Sequence, residues 1–112
     1  MTVELELQSL MDRFNRRAEK TPAMQEELRG IRRTIAVRLT DAGTFAADLA
    51  DGRLQNLRAG PVTRADVTIV TDEATFRGLV AREIGPMKAL VTRKLVLEGS
   101  LDDKLLFRRL LS

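Results

Sequence analysis

The side chains that most often carry catalysis or hold metals are scarce in this 112-residue chain, which contains no histidine and no cysteine. A Ser–His–Asp site is therefore excluded, and zinc, copper, haem and iron–sulfur sites lack their usual ligands. Ser9, Ser100 and Ser112 lie outside any nucleophile motif. Adjacent Asp102 and Asp103 would point about 100° apart on a helix, which suits a first helical turn better than an acid–base pair. We therefore expect that the protein is not an enzyme and that it binds no cofactor and no metal ion. Carboxylate sites for Mg²⁺ or Ca²⁺ are the one kind of metal site that this composition still allows.

The charge pattern does not indicate a nucleic-acid partner. Nineteen basic residues, fifteen of them arginine, are interspersed with sixteen acidic ones, for a net charge of +3. The densest basic clusters are Arg32-Arg33 and the group Arg13, Arg16, Arg17 and Lys20. No glycine-rich phosphate loop accompanies them, and there is no Tyr or Trp on which bases would stack. We expect no nucleic-acid binding.

The chain also lacks the patterns of export and membrane insertion. Its acidic start, with Glu4 and Glu6, has no basic signal-peptide region, and its apolar runs fall far short of the ~20 residues that span a bilayer. The absence of cysteine fits a reducing compartment. We expect a soluble cytoplasmic protein in which residues 1–112 form a single domain.

Two helices are predicted at the start of the chain. Residues 3–20 place their apolar side chains on one stripe at 3.6-residue spacing, with charged residues opposite. Thr21-Pro22 ends this helix and begins a short second one, with Thr21 as its N-cap. The second helix is predicted to end at Gly30. The stripe of the first helix consists of Val3, Leu7, Leu10, Met11, Phe14 and Ala18.

From residue 31 the apolar period changes to two, which indicates strands. Ile35, Val37 and Leu39 form one alternating set, and a second set follows the turn at residues 41–43 with Phe45, Ala47 and Leu49. Asp51-Gly52 predicts a tight turn into a weaker strand over residues 53–59. Gly60-Pro61 then redirects the chain.

The second half alternates strands and helices. A strand over residues 66–70 leads into a helix capped by Asp72, and Gly85-Pro86 begins another helix. A short strand at residues 95–98 precedes a last helix, for which Ser100 and Asp103 form a capping box. Because one face of the sheet is apolar and the other is rich in Thr, Arg and Asp, we expect an α+β, two-layer architecture with helices on one face.

The last helix carries more apolar surface than one neighbour requires. Leu106, Phe107, Leu110 and Leu111 cover one broad side, and Leu101 with Leu105 cover another. Burial deep in the core, a lid over an apolar ligand and a dimer contact all agree with this pattern.

Four motifs of the second half resemble the type-2 sterol carrier protein family. Residues 65–69 (ADVTI) with residues 71–76 (TDEATF) resemble its strand-into-helix signature, and residues 84–90 (IGPMKAL) resemble a helix start of that family. Residues 93–99 (RKLVLEG) are similar to its following strand, and residues 105–111 to its leucine-rich terminal helix. The family pattern departs at residues 90–93, where Leu-Val-Thr-Arg replaces Phe, Met and a Ser-Gly pair.

The resemblance implies one five-stranded, mainly antiparallel sheet and an apolar tunnel between sheet and helices. The tunnel would bind a fatty acid, fatty acyl-CoA, isoprenoid or sterol-like lipid. The last three residues, Leu-Leu-Ser, differ from the Ser-Lys-Leu signal that directs eukaryotic members of the family to peroxisomes. The resemblance therefore implies a stand-alone prokaryotic member. Carried over position by position, the lining candidates are Phe76, Leu79, Val80, Met87, Leu90, Val91, Leu105, Leu106 and Leu110, with Ile35, Val37, Phe45, Val67 and Ile69 as the floor and Met11 and Phe14 as weaker candidates. For each of them plain core packing is the alternative.

Our hypothesis from the sequence is non-enzymatic binding or carriage of an apolar lipid. Arg82, Lys88 and Arg93 are candidates for contact with an anionic head group, unless they are simply solvated. Transient contact with a membrane surface is compatible with carriage. The alternative is an interaction module whose apolar helix surface forms a homodimer or docks to an enzyme partner. A third hypothesis is an accessory domain of an enzyme, as in fusion proteins of the family.

Overall fold

The computed structural model describes residues 2–111. Its elements follow the predicted order closely, and none of the helices in that range is both long and apolar enough to cross a bilayer. The elements are α1 (Val3–Lys20), α2 (Pro22–Leu28), β1 (Arg33–Leu39), β2 (Gly43–Ala50), β3 (Arg53–Ala59), β4 (Val67–Thr71), α3 (Glu73–Val80), α4 (Pro86–Val91), β5 (Leu95–Gly99) and α5 (Leu101–Leu111).

The five strands form one mixed sheet in the order β3-β2-β1-β4-β5. Three of the four pairings are antiparallel, and β1 pairs with β4 in parallel after the crossover through residues 60–66. The register places Ile35 opposite Ala47 and Val37 opposite Phe45, so the apolar sets of β1 and β2 share one face. The predicted α+β fold with a mainly antiparallel five-stranded sheet is confirmed.

The other sheet face is polar, and its charges pair across strands. Arg38 of β1 lies 3.9 Å from Glu98 of β5, and Arg58 of β3 lies 3.2 Å from Asp48 of β2. These exposed pairs contribute little to stability individually. The helices gather on the other side, because this face carries charged residues and threonines with only a few small or isolated apolar side chains, such as Val70 and Val96 in register with Arg38.

Local backbone chemistry explains where the elements begin and end. Asp51 and Gly52 both have positive φ, +55° and +76°, as the tight turn between β2 and β3 requires. Asp72 accepts a 2.6 Å hydrogen bond from the Thr75 N–H, which caps α3 as predicted. Ser100 Oγ likewise accepts the Asp103 N–H at 3.1 Å.

Thr21 differs from the prediction. It occupies the N-cap position of α2, but its side chain does not cap that helix. Its hydroxyl instead donates to the Arg17 carbonyl at 2.7 Å, closing the last turn of α1. The break between α1 and α2 therefore depends on Pro22, which occupies the first turn of α2, where its missing N–H has no cost.

The core divides into two parts along the inner sheet face. One part gathers Leu28, Ile35, Val67, Leu106, Phe107 and Leu110, and the other gathers Leu7, Val37, Leu39, Phe45 and Phe76. Ile69 packs against both. Helix α1 packs on the edge strand β3, whereas α4 and α5 pack on the opposite edge strand β5. The space between these two supports lies above the centre of the sheet.

Candidate functional site

An apolar cavity of about 580 Å³ occupies this space. Its volume is within the range of small-molecule sites, roughly 300–1,000 Å³. Most of its wall is aliphatic or aromatic. Its lining includes Ile35, Val37, Ala47 and Ile69 from the sheet, Met11 and Phe14 from α1, Phe76 and Leu79 from α3, and Phe107, Leu110 and Leu111 from α5.

The floor of the cavity follows from strand alternation. Ile35 and Val37 of β1 and Ile69 of β4 point to the same face, because Val37 pairs with Ile69 in the parallel register. Ala47 lies opposite Ile35 on β2, and its methyl group fills little of the space above the sheet. A small side chain among branched ones therefore leaves room over the centre of the sheet.

Helix α1 forms the roof, and Asn15 fixes it to the sheet edge. The buried Asn15 amide donates to the Leu54 carbonyl at 2.9 Å and accepts the Leu54 N–H at 2.7 Å. Both main-chain groups belong to the edge strand β3. Asn15 thus supplies the pairing that a further strand would otherwise provide.

Three ionic or charge-assisted contacts hold α1 to the helices across the cavity. Glu6 pairs with Arg77 of α3 at 2.9 Å. The Arg13 guanidinium donates to the Val80 carbonyl at the C-terminal end of α3, and Arg17 donates to the Leu110 carbonyl near the end of α5. A cation at a helix C-terminus interacts favourably with the helix dipole. These contacts set the width of the opening between α1 and the other helices.

Every charged side chain along the described part of the cavity wall is an arginine: Arg13, Arg16 and Arg17 from α1, and Arg82 from the turn after α3. Arg16 and Arg82 have no side-chain hydrogen bond or ion pair within residues 2–111. Arg82 holds a left-handed backbone conformation at φ +62°. An apolar cavity with a cationic edge suits an apolar chain that ends in an anion.

The polar groups near the cavity do not form an acid–base site. Among residues 2–111, Thr71 supplies the only hydroxyl of the wall, and it donates to the Lys94 carbonyl at 2.7 Å. The main-chain hydrogen bond from Thr75 holds the pKa of Asp72 below its usual range, and the hydrogen bond to Asp103 raises the pKa of Arg33. Neither Asp72 nor Arg33 borders the cavity, so both shifts reflect structural contacts. No cluster of acidic ligands that could hold a metal ion occurs in residues 2–111.

Comparison with known families identifies the fold. The model of the SCP-2 sterol transfer family matches residues 11–112. This chain belongs to that family. The motif resemblance found in the sequence is thereby confirmed. A search among curated protein sequences finds no match.

Solved structures of SCP-2 proteins share the architecture. Palmitated sterol carrier protein 2 like 2 from Aedes aegypti aligns with a TM-score of 0.65 at 19% identity, covering 96% of this chain and 94% of that one. The ubiquinone synthesis protein UbiJ-SCP2 aligns with a TM-score of 0.63 at 14% identity, covering 96% and 91%.

A larger protein contains a similar region. A double mutant of the sec-alkylsulfatase Pisa1, an enzyme of Pseudomonas, aligns with a TM-score of 0.57 at 26% identity. The alignment covers 74% of this chain but only 13% of the sulfatase. The SCP-2 fold is therefore one part of that longer chain.

The structure brings six of the fourteen predicted lining residues to this SCP-2 cavity. They are Ile35, Val37, Ile69, Phe76, Leu79 and Leu110, and the weaker candidates Met11 and Phe14 join them. The other eight do not border it. Phe45, Val67 and Leu106 are buried in packed core, and Val80, Met87 and Leu90 are half-buried elsewhere. Val91 and Leu105 face solvent, 72% and 44% exposed, because they lie on the outer sides of α4 and α5.

Sequence reasoning named Arg82 as a head-group candidate but missed Asn15 and the three arginines that α1 contributes to the cavity edge. The sequence marks Arg13, Arg16 and Arg17 only as part of a basic cluster on the first helix. In the structure all three border the cavity, and Arg13 and Arg17 reach the ends of α3 and α5. Their spacing of three and four residues beside the apolar stripe was the available signal. Asn15 carried no such signal, since nothing in the sequence indicates that it faces Leu54.

Proposed function

We propose that residues 1–112 form a single lipid-binding domain that holds a lipid with one long apolar chain in the cavity and carries it without catalysis. The observation that supports this most is the combination of an apolar cavity of about 580 Å³ with an edge whose charged side chains, within the described residues, are all arginines. The proposed carriage is cytoplasmic, in keeping with a chain without cysteine.

The binding energy would come from the apolar chain. Burying one methylene is worth about 0.8 kcal/mol, so ten buried methylenes provide about 8 kcal/mol before the costs of association and ordering. The fourteen methylenes of palmitate would provide about 11 kcal/mol, which leaves about 7 kcal/mol after an association cost of about 4 kcal/mol and corresponds to an affinity of about 10 μM. A cavity already formed above the sheet keeps the further cost of ordering small. Ile35, Val37 and Ile69 would contact the chain from below, and Leu79 and Leu110 from the helices.

The proposed head group is an anion at the arginine edge. Arg13 and Arg17 donate to main-chain carbonyls, whereas Arg16 and Arg82 offer guanidinium groups to a carboxylate, sulfate or phosphate. A neutral sterol would leave these cations without a partner. We therefore favour a fatty acid or a related anionic lipid among the ligands that the family resemblance implies.

Displacement of a fluorescent fatty acid from delipidated protein tests both parts of this proposal. Palmitate should displace the probe at a concentration at least about tenfold lower than hexadecanol, which has the same chain and no charge. Arg16→Gln combined with Arg82→Asn should remove most of that difference, since asparagine tolerates the left-handed backbone at position 82. Arg64→Gln, a change of an exposed arginine outside the cavity, is the matched control.

The two parts can fail separately. If neither palmitate nor hexadecanol displaces the probe, and no lipid is extracted from the native protein, the cavity is not a lipid site. If both displace it equally well in the unchanged protein, the cavity binds apolar chains and the assignment of an anionic head group is wrong.

A second candidate function is presentation of the bound ligand to an enzyme. The similarity to part of a sec-alkylsulfatase favours it, because there a region of this fold belongs to the same chain as an enzyme. The structural likeness to a ubiquinone synthesis protein is a fold-level parallel. Transfer of a labelled fatty acid between vesicles by the protein alone would support carriage, and tight binding without transfer would support presentation.

A further inference from the structure

Helix α5 has two apolar faces, and the cavity uses only one. Leu106, Phe107 and Leu110 are buried on its inner face. On the opposite side Leu101 and Leu105 are 68% and 44% exposed. At 100° per residue these two leucines lie about 40° apart on the helix, so their side chains form one patch.

Basic residues flank this patch. At the same helical spacing Lys104 and Arg108 fall within about 60° of Leu101, and Arg108 is exposed. We call the four residues Leu101, Lys104, Leu105 and Arg108 the outer face of α5. Cationic side chains with long aliphatic stems beside exposed leucines are typical of helices that lie at a membrane surface.

The charge of the whole chain is concentrated in the same segment. Residues 85–112 contain six basic and three acidic residues, while residues 1–84 contain thirteen of each, so the net charge of +3 belongs to the last quarter of the chain. Asp103 pairs with Arg33 at 2.8 Å, Glu98 with Arg38 at 3.9 Å, and Arg109 with Glu27 at 2.5 Å, so among the described residues the segment keeps an excess of basic residues without an ion pair. The neighbouring helix α4, which packs against α5, adds exposed Lys88 and exposed Val91.

We propose that the outer face of α5 docks on an anionic lipid bilayer. The leucines would enter the boundary between head groups and acyl chains, while Lys104 and Arg108 contact lipid phosphates. A bilayer fits better than a protein, because a stable protein interface buries about 800 Å² per partner around aromatic or arginine anchors in a pocket. The outer face is a narrow convex strip without aromatic residues.

The docking surface extends the proposed function but does not depend on it. The inner face of α5 walls the cavity, so docking through the outer face would bring the cavity within one helix diameter, about 10 Å, of the bilayer. A lipid would then exchange without crossing bulk water over a long distance. Binding to vesicles can nevertheless be measured on delipidated protein, whatever the cavity holds.

Co-sedimentation with vesicles tests the proposal. The full chain should bind vesicles of phosphatidylcholine with about 30% phosphatidylglycerol, and binding should fall when salt is raised from about 0.1 M to about 0.5 M. Leu101→Ser with Leu105→Ser, and separately Lys104→Glu with Arg108→Glu, should each weaken partitioning at least about tenfold. Leu5→Ser, at an α1 leucine 59% exposed, and Arg64→Glu are matched controls that should leave it unchanged.

The outcomes are distinguishable from those of the cavity experiments. All variants should keep the fatty-acid affinity of the unchanged protein, because the substituted side chains lie outside the cavity. Their melting temperatures should fall by no more than about 10 °C, so that each variant is still folded at the temperature of the assay. Binding to neither kind of vesicle, equal binding to pure phosphatidylcholine, or equal loss in the control variants would overturn the proposal. In the first case a protein partner would be the remaining occupant of this face.

Discussion

Replacing Asn15 by alanine should loosen the roof of the cavity. Asn15 is 6% exposed and makes two hydrogen bonds, of 2.9 and 2.7 Å, to the carbonyl and N–H of Leu54. Alanine removes both bonds and leaves two main-chain groups of the edge strand facing a small apolar side chain. The packing of α1 on β3 would be weakened at the point where the helix joins the sheet.

The size of the effect can be worked out from these bonds. Each net hydrogen bond contributes about 1 kcal/mol, and a main-chain group left without a partner adds to the loss. Since Leu54 is half-buried, water can reach part of the gap, and we expect a total loss of about 2 kcal/mol. A domain of this length has a free energy of unfolding of about 5–15 kcal/mol, so the melting temperature should fall by about 10 °C.

Thermal unfolding and urea titration followed by circular dichroism measure this change. Gln8→Ala is the matched control, because Gln8 is an exposed amide on the same helix that donates to Asp12 at 3.0 Å. Its loss should cost less than about 0.5 kcal/mol. Asn15→Asp should be as harmful as alanine, since a carboxylate cannot donate to the Leu54 carbonyl. A fall of less than about 3 °C for Asn15→Ala would refute this account of how α1 is held.

Three further predictions concern the N-cap, a close backbone approach and the cavity wall. Asp72→Ala should cost about 1 kcal/mol at pH 7. Because the pKa of Asp72 is lowered in the folded state, its contribution is present above pH about 4 and is lost as the pH falls through the folded pKa, so urea titrations should show the difference shrinking in acid. Gly99→Ala should cost about 2 kcal/mol or more in the same titration, because φ is +149° and a Cβ would lie 2.6 Å from the Asp66 carbonyl oxygen beside β4. Gly85→Ala should be tolerated, because Gly85 has no positive φ and a Cβ there would meet open space. Leu79→Trp should weaken fatty-acid binding, measured by fluorescence titration, at least about tenfold, because the larger side chain would fill the cavity. Val91→Trp, at an exposed site, should leave the affinity unchanged. Equal effects of the two substitutions would contradict the assignment of Leu79 to the cavity wall.

The sequence predicted the elements because each has a local cause. The period of two around Ile35 and Val37, the Asp51-Gly52 turn and the Asp72 cap act over a few residues, and the structure confirms them. Thr21 was an exception, since its hydroxyl had an equally near acceptor in the Arg17 carbonyl. Local patterns thus determine where elements begin more reliably than which atom closes each end.

The cavity was predictable only in part, because alternation shows which face is inward but not where space is left. Ile35 and Phe45 both point inward, yet Ile35 borders the cavity and Phe45 packs against its neighbours. Which inward side chains border open space depends on how the helices pack over the sheet, and residues far apart in the sequence determine that packing. Val91 lies on a helix of six residues, too short for a periodic pattern to identify its inner side.

The central claim is that an apolar lipid chain lies between the sheet and the helices, and intermolecular NOEs test it most directly. With ¹³C-labelled methyl groups and bound unlabelled palmitate, the fatty-acid methylene protons should show NOEs to the methyl groups of Ile35, Val37, Ile69, Leu79 and Leu110. The exposed methyl groups of Val91 and Leu105 should show none. NOEs confined to those exposed residues, or none to the cavity wall at saturating palmitate, would contradict the account.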